Sequence, residues 1–162
     1  METRVGQIVH SVRTARRMTL GFIDGIPGDD WFAQPIPGMN HIAWNLMHLM
    51  LAEDWGPTAL GDPARPWVAR YGDLVGQGPL ADPSSYPSRD EILGALQATH
   101  ERFLDRLGSL SDADLERKTS GAISEYAPDL GSVLDSHIWH EGFHGGQISV
   151  IRKALGHQPR FG

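Results

Sequence analysis

Hydrophobic residues recur every three or four positions in four separate stretches of this chain, and that spacing predicts four long helices. In the first, residues 4 to about 24, Val5, Ile8, Val9, Val12, Thr19 and Ile23 share a face, while Arg4, Arg13, Arg16 and Arg17 fall mostly elsewhere. Gly25-Ile26-Pro27-Gly28 stops it. The second runs from Asn40, whose side chain is expected to cap a free backbone N–H, to about residue 60. Its stripe is His41, Trp44, His48, Leu51, Ala52 and Trp55, with Glu53 and Asp54 on other sides and Pro57 near the end. The third opens on the capping box Ser88-Arg89-Asp90-Glu91, buries Ile92, Leu96, Phe103 and Leu107, and ends at Gly108. The fourth, residues 130 to 155, turns Leu134, His137, Ile138, Glu141, His144, Ile148, Ile151 and Leu155 inward. Arg152 and Lys153 suit the dipole at its end, and Gly156 is a natural residue just beyond it. Gly142, Gly145 and Gly146 each lower helix propensity by up to about 1 kcal/mol, a cost that close approach of another backbone would explain.

The intervening segments are punctuated by proline and glycine. Residues 29–38 read as a loop whose Trp31 and Phe32 fold back over a bundle end. Residues 61–87 carry many prolines and glycines and read as a long ordered loop, anchored by Trp67, Tyr71 and Tyr86. It is expected to serve as a lid over a pocket or as a dimer contact. A short helical turn is expected near residues 111–115, then loop from 118 to 129. No alternating strand pattern and no repeat occurs. The expectation is one all-α domain over residues 1–162, an up-down-type four-helix bundle with a long loop between helices 2 and 3.

Charge and composition narrow the function. The 162 residues carry 14 basic and 20 acidic side chains, a net charge of −6. An acidic chain lacks the basic surface that nucleic acid or anionic lipid requires. No apolar run is long enough to span a bilayer, and Met1-Glu2-Thr3-Arg4 lacks the apolar core of a secretory signal, so a cytoplasmic location is expected. With no cysteine there is no disulfide and no thiolate metal site. Eight histidines and five tryptophans are the unusual feature.

Two of those histidines lie four apart. On a helical wheel at about 100° per residue, with His137 at zero, His140 falls at about −60°, His144 at about −20° and Glu141 at about +40°. All point toward the core, where an uncompensated polar cluster is costly. A divalent cation bound by His140, His144 and an inward His48 from the second helix would compensate it, leaving open positions for water or substrate. The plainer reading is that each is a hydrogen-bonded core histidine. Glu141 is a candidate general base, more readily a support for a ligand or a helix-packing group. His41 and His137 are read as pocket wall, and Asn45 as a group that orients a ligand or water. Trp44 and Trp55 are read as core packing, Trp139 as packing between helices or subunits, and His10, His100 and His157 as surface or structural.

The stretch His140-Glu141-Gly142-Phe143-His144-Gly145-Gly146-Gln147-Ile148, followed by Arg152-Lys153-Ala154-Leu155-Gly156, resembles the C-terminal signature of the DinB-like superfamily. Ile42-Ala43-Trp44-Asn45-Leu46-Met47-His48-Leu49, followed by Glu53-Asp54, resembles that family's second-helix motif. The resemblance covers essentially the whole chain. It implies a four-helix bundle, commonly a homodimer, with a divalent metal, often zinc or nickel, on His48, His140 and His144; imidazole ligands suit iron and copper as well, and iron and manganese are kept as further candidate ions. Many members carry Arg after the final His, where this chain has Gly145. The superfamily it resembles includes thiol-dependent transferases and isomerases using low-molecular-weight thiols, proposed hydrolases, and members with no known activity, so the resemblance implies a hydrolase or a transferase using such a thiol and equally admits a protein with no catalytic role. Three hypotheses follow: a metal-dependent enzyme, a stress-associated binding protein with a structural or vestigial metal, and a helical interaction module with no metal.

Overall fold

The computed structural model describes residues 3–59, 66–76, 78 and 82–161. Among these the chain forms five α-helices, α1 (Arg4–Ile23), α2 (Ile42–Ala59), α3 (Pro66–Gly76), α4 (Arg89–Gly108) and α5 (Leu130–Ala154), with short 3₁₀ turns between them and no strand. The four long helices are the expected ones. They pack as a bundle in which α1 lies against α5 and α4, and α2 against α4, α3 and α5.

The local signals at the helix ends act as read. Ser88 and Glu91 form the reciprocal capping box of α4. Asp129, read only as the end of a loop, proves to cap α5 by accepting from the Ser132 N–H at 2.9 Å. Gly156, at φ +84°, lets the chain leave α5, and the His157 and Gly156 amides return to the carbonyls of Arg152 and Lys153. The cap of α2 differs. His41, not Asn40, accepts the Trp44 N–H on its Nδ1 at 3.0 Å. His41 is fully buried against Tyr86 and Phe32, so it is a helix cap within the core and not a wall of the site.

The connection after α2 contains the unexpected helix. Its residues 61–65, 77 and 79–81, and Leu60 before them, lie outside the described residues. Within it, Trp67, Val68, Tyr71, Leu74 and Val75 follow helical spacing and pack on the core, a pattern that the flanking prolines and glycines obscure. Asp54, buried on α2, accepts from the Trp67 and Val68 amides at 2.9 and 2.8 Å and so satisfies the first turn of α3. Trp44 holds the other end by donating to the Val75 carbonyl at 3.1 Å. Arg102 of α4 supplies the counter-charge to Asp54.

Between Ile42 and Asp54, α2 is covered on nearly all sides and not along one stripe, with His48 and Ala52 half-buried and Trp55 exposed just beyond. Ile42, Ala43, Leu46, Met47 and Leu49 are fully covered, and so are Asn45, Glu53 and Asp54. A helix so covered leaves no solvent face at Glu53 and Asp54. Glu53 and Asp54, expected off the inner face, must therefore find partners inside the protein.

Close approach explains one helical glycine of the three. A Cβ on Gly145 would stand 3.2 Å from Thr19 Oγ1 and 3.4 Å from the Phe22 ring of α1, whereas Gly142 and Gly146 face open space. Arg152, expected to serve the α5 dipole, is buried and donates to the Phe22 and Asp24 carbonyls at 3.0 and 2.6 Å, closing the end of α1.

A candidate metal centre

Three imidazoles from two helices meet at one point. His48 Nε2 lies 2.9 Å from His140 Nε2, which lies 3.1 Å from His144 Nε2. One nitrogen from each of the three falls within 4.8 Å of the others. The four-residue spacing puts His140 and His144 one turn apart on α5, and the packing of α2 on α5 brings His48 to them. Trp44 stacks on His48 with centroids 4.8 Å apart and planes 7° apart, which fixes that ring.

The protonation pattern follows from the neighbours. The Asn45 amide nitrogen donates to the His41 carbonyl at 3.0 Å, so its oxygen faces His144 Nδ1, 2.7 Å away. That oxygen can only accept, so Nδ1 carries the hydrogen and Nε2 of His144 turns a lone pair to the centre. Burial, reinforced by repulsion from His48 and His137, lowers His140 to about 4. Burial, reinforced by His48 and His140, lowers His144 to about 3. Burial also lowers His48. The centre is therefore a set of neutral imidazoles at neutral pH.

Such a set fits a divalent cation. A hydrogen on His140 Nε2 can serve only one of its two neighbours, whereas a cation takes three lone pairs at once. Nitrogens bound to zinc at about 2.0–2.1 Å stand about 3.3–3.4 Å apart in a tetrahedron, a few tenths beyond the His48–His140 and His140–His144 separations, with all three nitrogens within 4.8 Å of one another.

Glu141, the candidate base, faces away from this point. Both of its oxygens accept from Arg16, Nε at 2.8 Å and Nη2 at 3.1 Å. Arg16 Nη2 also lies 3.0 Å from Glu53 Oε2, a Coulombic contact without hydrogen-bond alignment. Glu53 Oε1 receives His100 Nδ1 at 2.7 Å and has His137 Nε2 at 3.4 Å. Burial works to raise Glu53, but Arg16 and the two histidines outweigh it and hold it at about 2. His100 thus belongs to a constellation after all, and Arg16 is the residue that sequence reasoning missed. Its only sequence signal is position: twelve residues after Arg4, it falls near the buried face of α1.

The centre adjoins a cavity of about 490 Å³. His137, His140 and Ser136 supply its polar wall, and buried Phe103 and Leu134 its inner surface. Trp55, Tyr126 and Trp139, which are 42, 70 and 68 % exposed, line its outer part. His137 is on the cavity wall as expected. Trp55 and Trp139 are wall residues too, where core or interface packing was expected. Asn45 lies behind the histidines and orients one of them.

The fold and the site define a class: a helical bundle with a three-histidine centre shared by its second and last helices. The family model of the DinB superfamily matches residues 11–148, and the chain belongs to that superfamily. It is similar in structure to a conserved protein from Enterococcus faecalis, with a TM-score of 0.76, covering 96% of this chain and 99% of that one. At 14% identity that likeness is one of fold. No curated protein matches the chain. Among the described residues, no helix is long and apolar enough to cross a membrane.

Proposed function

We propose that this chain is a metal-dependent enzyme in which His48, His140 and His144 hold a divalent cation, zinc or nickel in the first place, iron or manganese after them. The observation that carries the reading is that the three-histidine group borders a cavity through His140. A structural ion is ordinarily enclosed by four protein ligands, whereas three ligands beside a cavity leave a position for water or substrate. When bound, the ion supplies Lewis acidity and lowers the pKa of a water or thiol that reaches it. The chain's own residues do the rest. Asn45 holds the His144 tautomer, Trp44 holds the His48 ring, and the apolar wall gives a substrate a surface to bury against.

The reaction is hydrolysis, or transfer of a low-molecular-weight thiol to an electrophile. The chain has no cysteine, so a thiol would arrive as a cosubstrate. The test is to strip the protein, reload it with zinc or nickel, measure bound metal, and screen esters, amides and thiol-plus-electrophile pairs. Wild type is expected to hold one ion per chain and to turn over one of these classes, and His140→Ala to lose both. Wild type that binds no ion after reloading would overturn the reading. An ion without turnover would return the protein to the non-catalytic alternative.

The same reading includes a cytoplasmic homodimer. Phe143 and Val150 on α5 and Met18 on α1 are exposed, and Gly142 and Gly146 leave open space beside them. A second copy laid across this face would cover apolar surface that a monomer leaves in water. Sedimentation at micromolar concentration is expected to give a dimer, and a monomer alone would refute it.

A further inference from the structure

The cavity beside His140 has a chemistry of its own, and we infer that it binds a small aryl compound with a single metal-seeking head group. Four aromatic rings, Trp55, Phe103, Tyr126 and Trp139, line it, and its polar groups sit together at Ser136, His137 and His140. Its volume of about 490 Å³ lies within the range of small-molecule sites, about 300–1,000 Å³. His137 is turned to Glu53, 3.4 Å away, and so is committed to the protein. A ligand rich in hydroxyl or carboxylate groups would lose its hydration there and gain few partners. A flat apolar ring gains both area burial and ring-to-ring contact. Trp55 and Trp139 stand exposed in the free protein, and a bound ring would cover part of each.

The inference rests on the metal reading for the head group only. The ring pocket is a property of the walls, and the test separates the two. Protein loaded with nickel or zinc is titrated with acetohydroxamate, benzohydroxamate, 3-phenylpropionohydroxamate and a polyhydroxylated hydroxamate of similar size. Quenching of tryptophan fluorescence and calorimetry both read the affinity. From acetohydroxamate to 3-phenylpropionohydroxamate the affinity is expected to rise at least tenfold, at about fourfold per buried methylene equivalent. The polyhydroxylated compound is expected to bind no better than acetohydroxamate. Trp139→Ala changes an exposed residue that folding tolerates. It is expected to weaken the aryl compounds several-fold while bound metal and acetohydroxamate affinity stay unchanged. Val133→Trp, which fills the cavity, is expected to abolish the preference for the ring.

A flat series on fully metal-loaded wild type would overturn the inference and leave the metal reading standing. If the protein takes up no metal, 3-phenylpropanol replaces the hydroxamates. Tryptophan quenching that Val133→Trp removes would then support the ring pocket while the metal reading falls, and no quenching would overturn the pocket too.

Discussion

Asn45 Oδ1 stands 2.7 Å from His144 Nδ1 across the contact between α2 and α5, and that contact decides which nitrogen of His144 faces the centre. The amide is itself oriented by donating to the His41 carbonyl. The backbone carbonyl of the α2 cap residue thus orients Asn45, which sets the tautomer of a histidine ninety-nine residues further along the chain.

Removing this acceptor should weaken metal binding without removing a ligand. Asn45→Leu is expected to lower affinity about 10–100-fold, the usual cost of losing a partner behind a ligand histidine. Asn45→Asp keeps an acceptor and is expected to cost less. Competition against a chromophoric chelator measures both, on protein shown to be folded by circular dichroism. Equal affinity in wild type and Asn45→Leu would remove the assigned role.

Arg16 is the counter-charge of two buried carboxylates, Glu53 and Glu141. Arg16→Met should leave them facing each other without a cation, and the expected loss is about 3–5 kcal/mol in urea unfolding. Adding Glu141→Gln to that variant should recover part of the loss, because one of the stranded charges is gone. A loss under about 1 kcal/mol for Arg16→Met would show that water or rearrangement compensates the pair.

Metal-free protein should lose stability as pH falls, in two overlapping windows. His140 and His144 have folded values of about 4 and about 3, below the ordinary 6.5. Between 6.5 and those values the unfolded chain binds protons that the folded chain refuses, so this contribution is full above pH 6.5 and fades below it. Glu53, at about 2 against an ordinary 4.5, contributes above 4.5 and fades as pH falls toward 2. Urea midpoints are expected to drop from pH 7.5 to pH 5, and His140→Ala to flatten that part of the curve. A wild-type midpoint constant over this range would contradict the assignment.

Chelation supplies an independent check on the centre. A ligand that binds only the folded chain stabilises it by about 2.7 kcal/mol at one hundred times its Kd. Zinc or nickel should raise the melting temperature of stripped protein, excess chelator should reverse the rise, and His144→Ala should abolish it. A melting temperature indifferent to both metal and chelator in wild type would speak for a module without an ion.

Much of this protein is legible without coordinates because its signals are local. The stripes of α1, α4 and α5, the Ser88–Glu91 box and Gly156 each depend on residues within a turn or two, and each took the expected form. The pair His140 and His144 belongs with them, since a helix alone places four-apart residues on one face. α3 had its signal too, in Trp67, Val68, Tyr71, Leu74 and Val75, but proline and glycine at both ends hid it. Its two ends are held from outside, by Asp54 and by Trp44.

By itself, then, the sequence determined an all-α bundle, an inward His140–His144 pair and His48 as the residue to join them. Tertiary structure alone decided that α2 is the central helix, since the burial of Glu53 and Asp54 off its expected stripe is a property of the neighbours. It decided that Arg16, Glu53, Glu141, His100 and His137 form one buried network, because those partners lie up to 125 residues apart and share no local pattern. It decided the cavity as well, whose walls come from α2, α4, α5 and the turn before α5, and whose shape exists only once those surfaces meet.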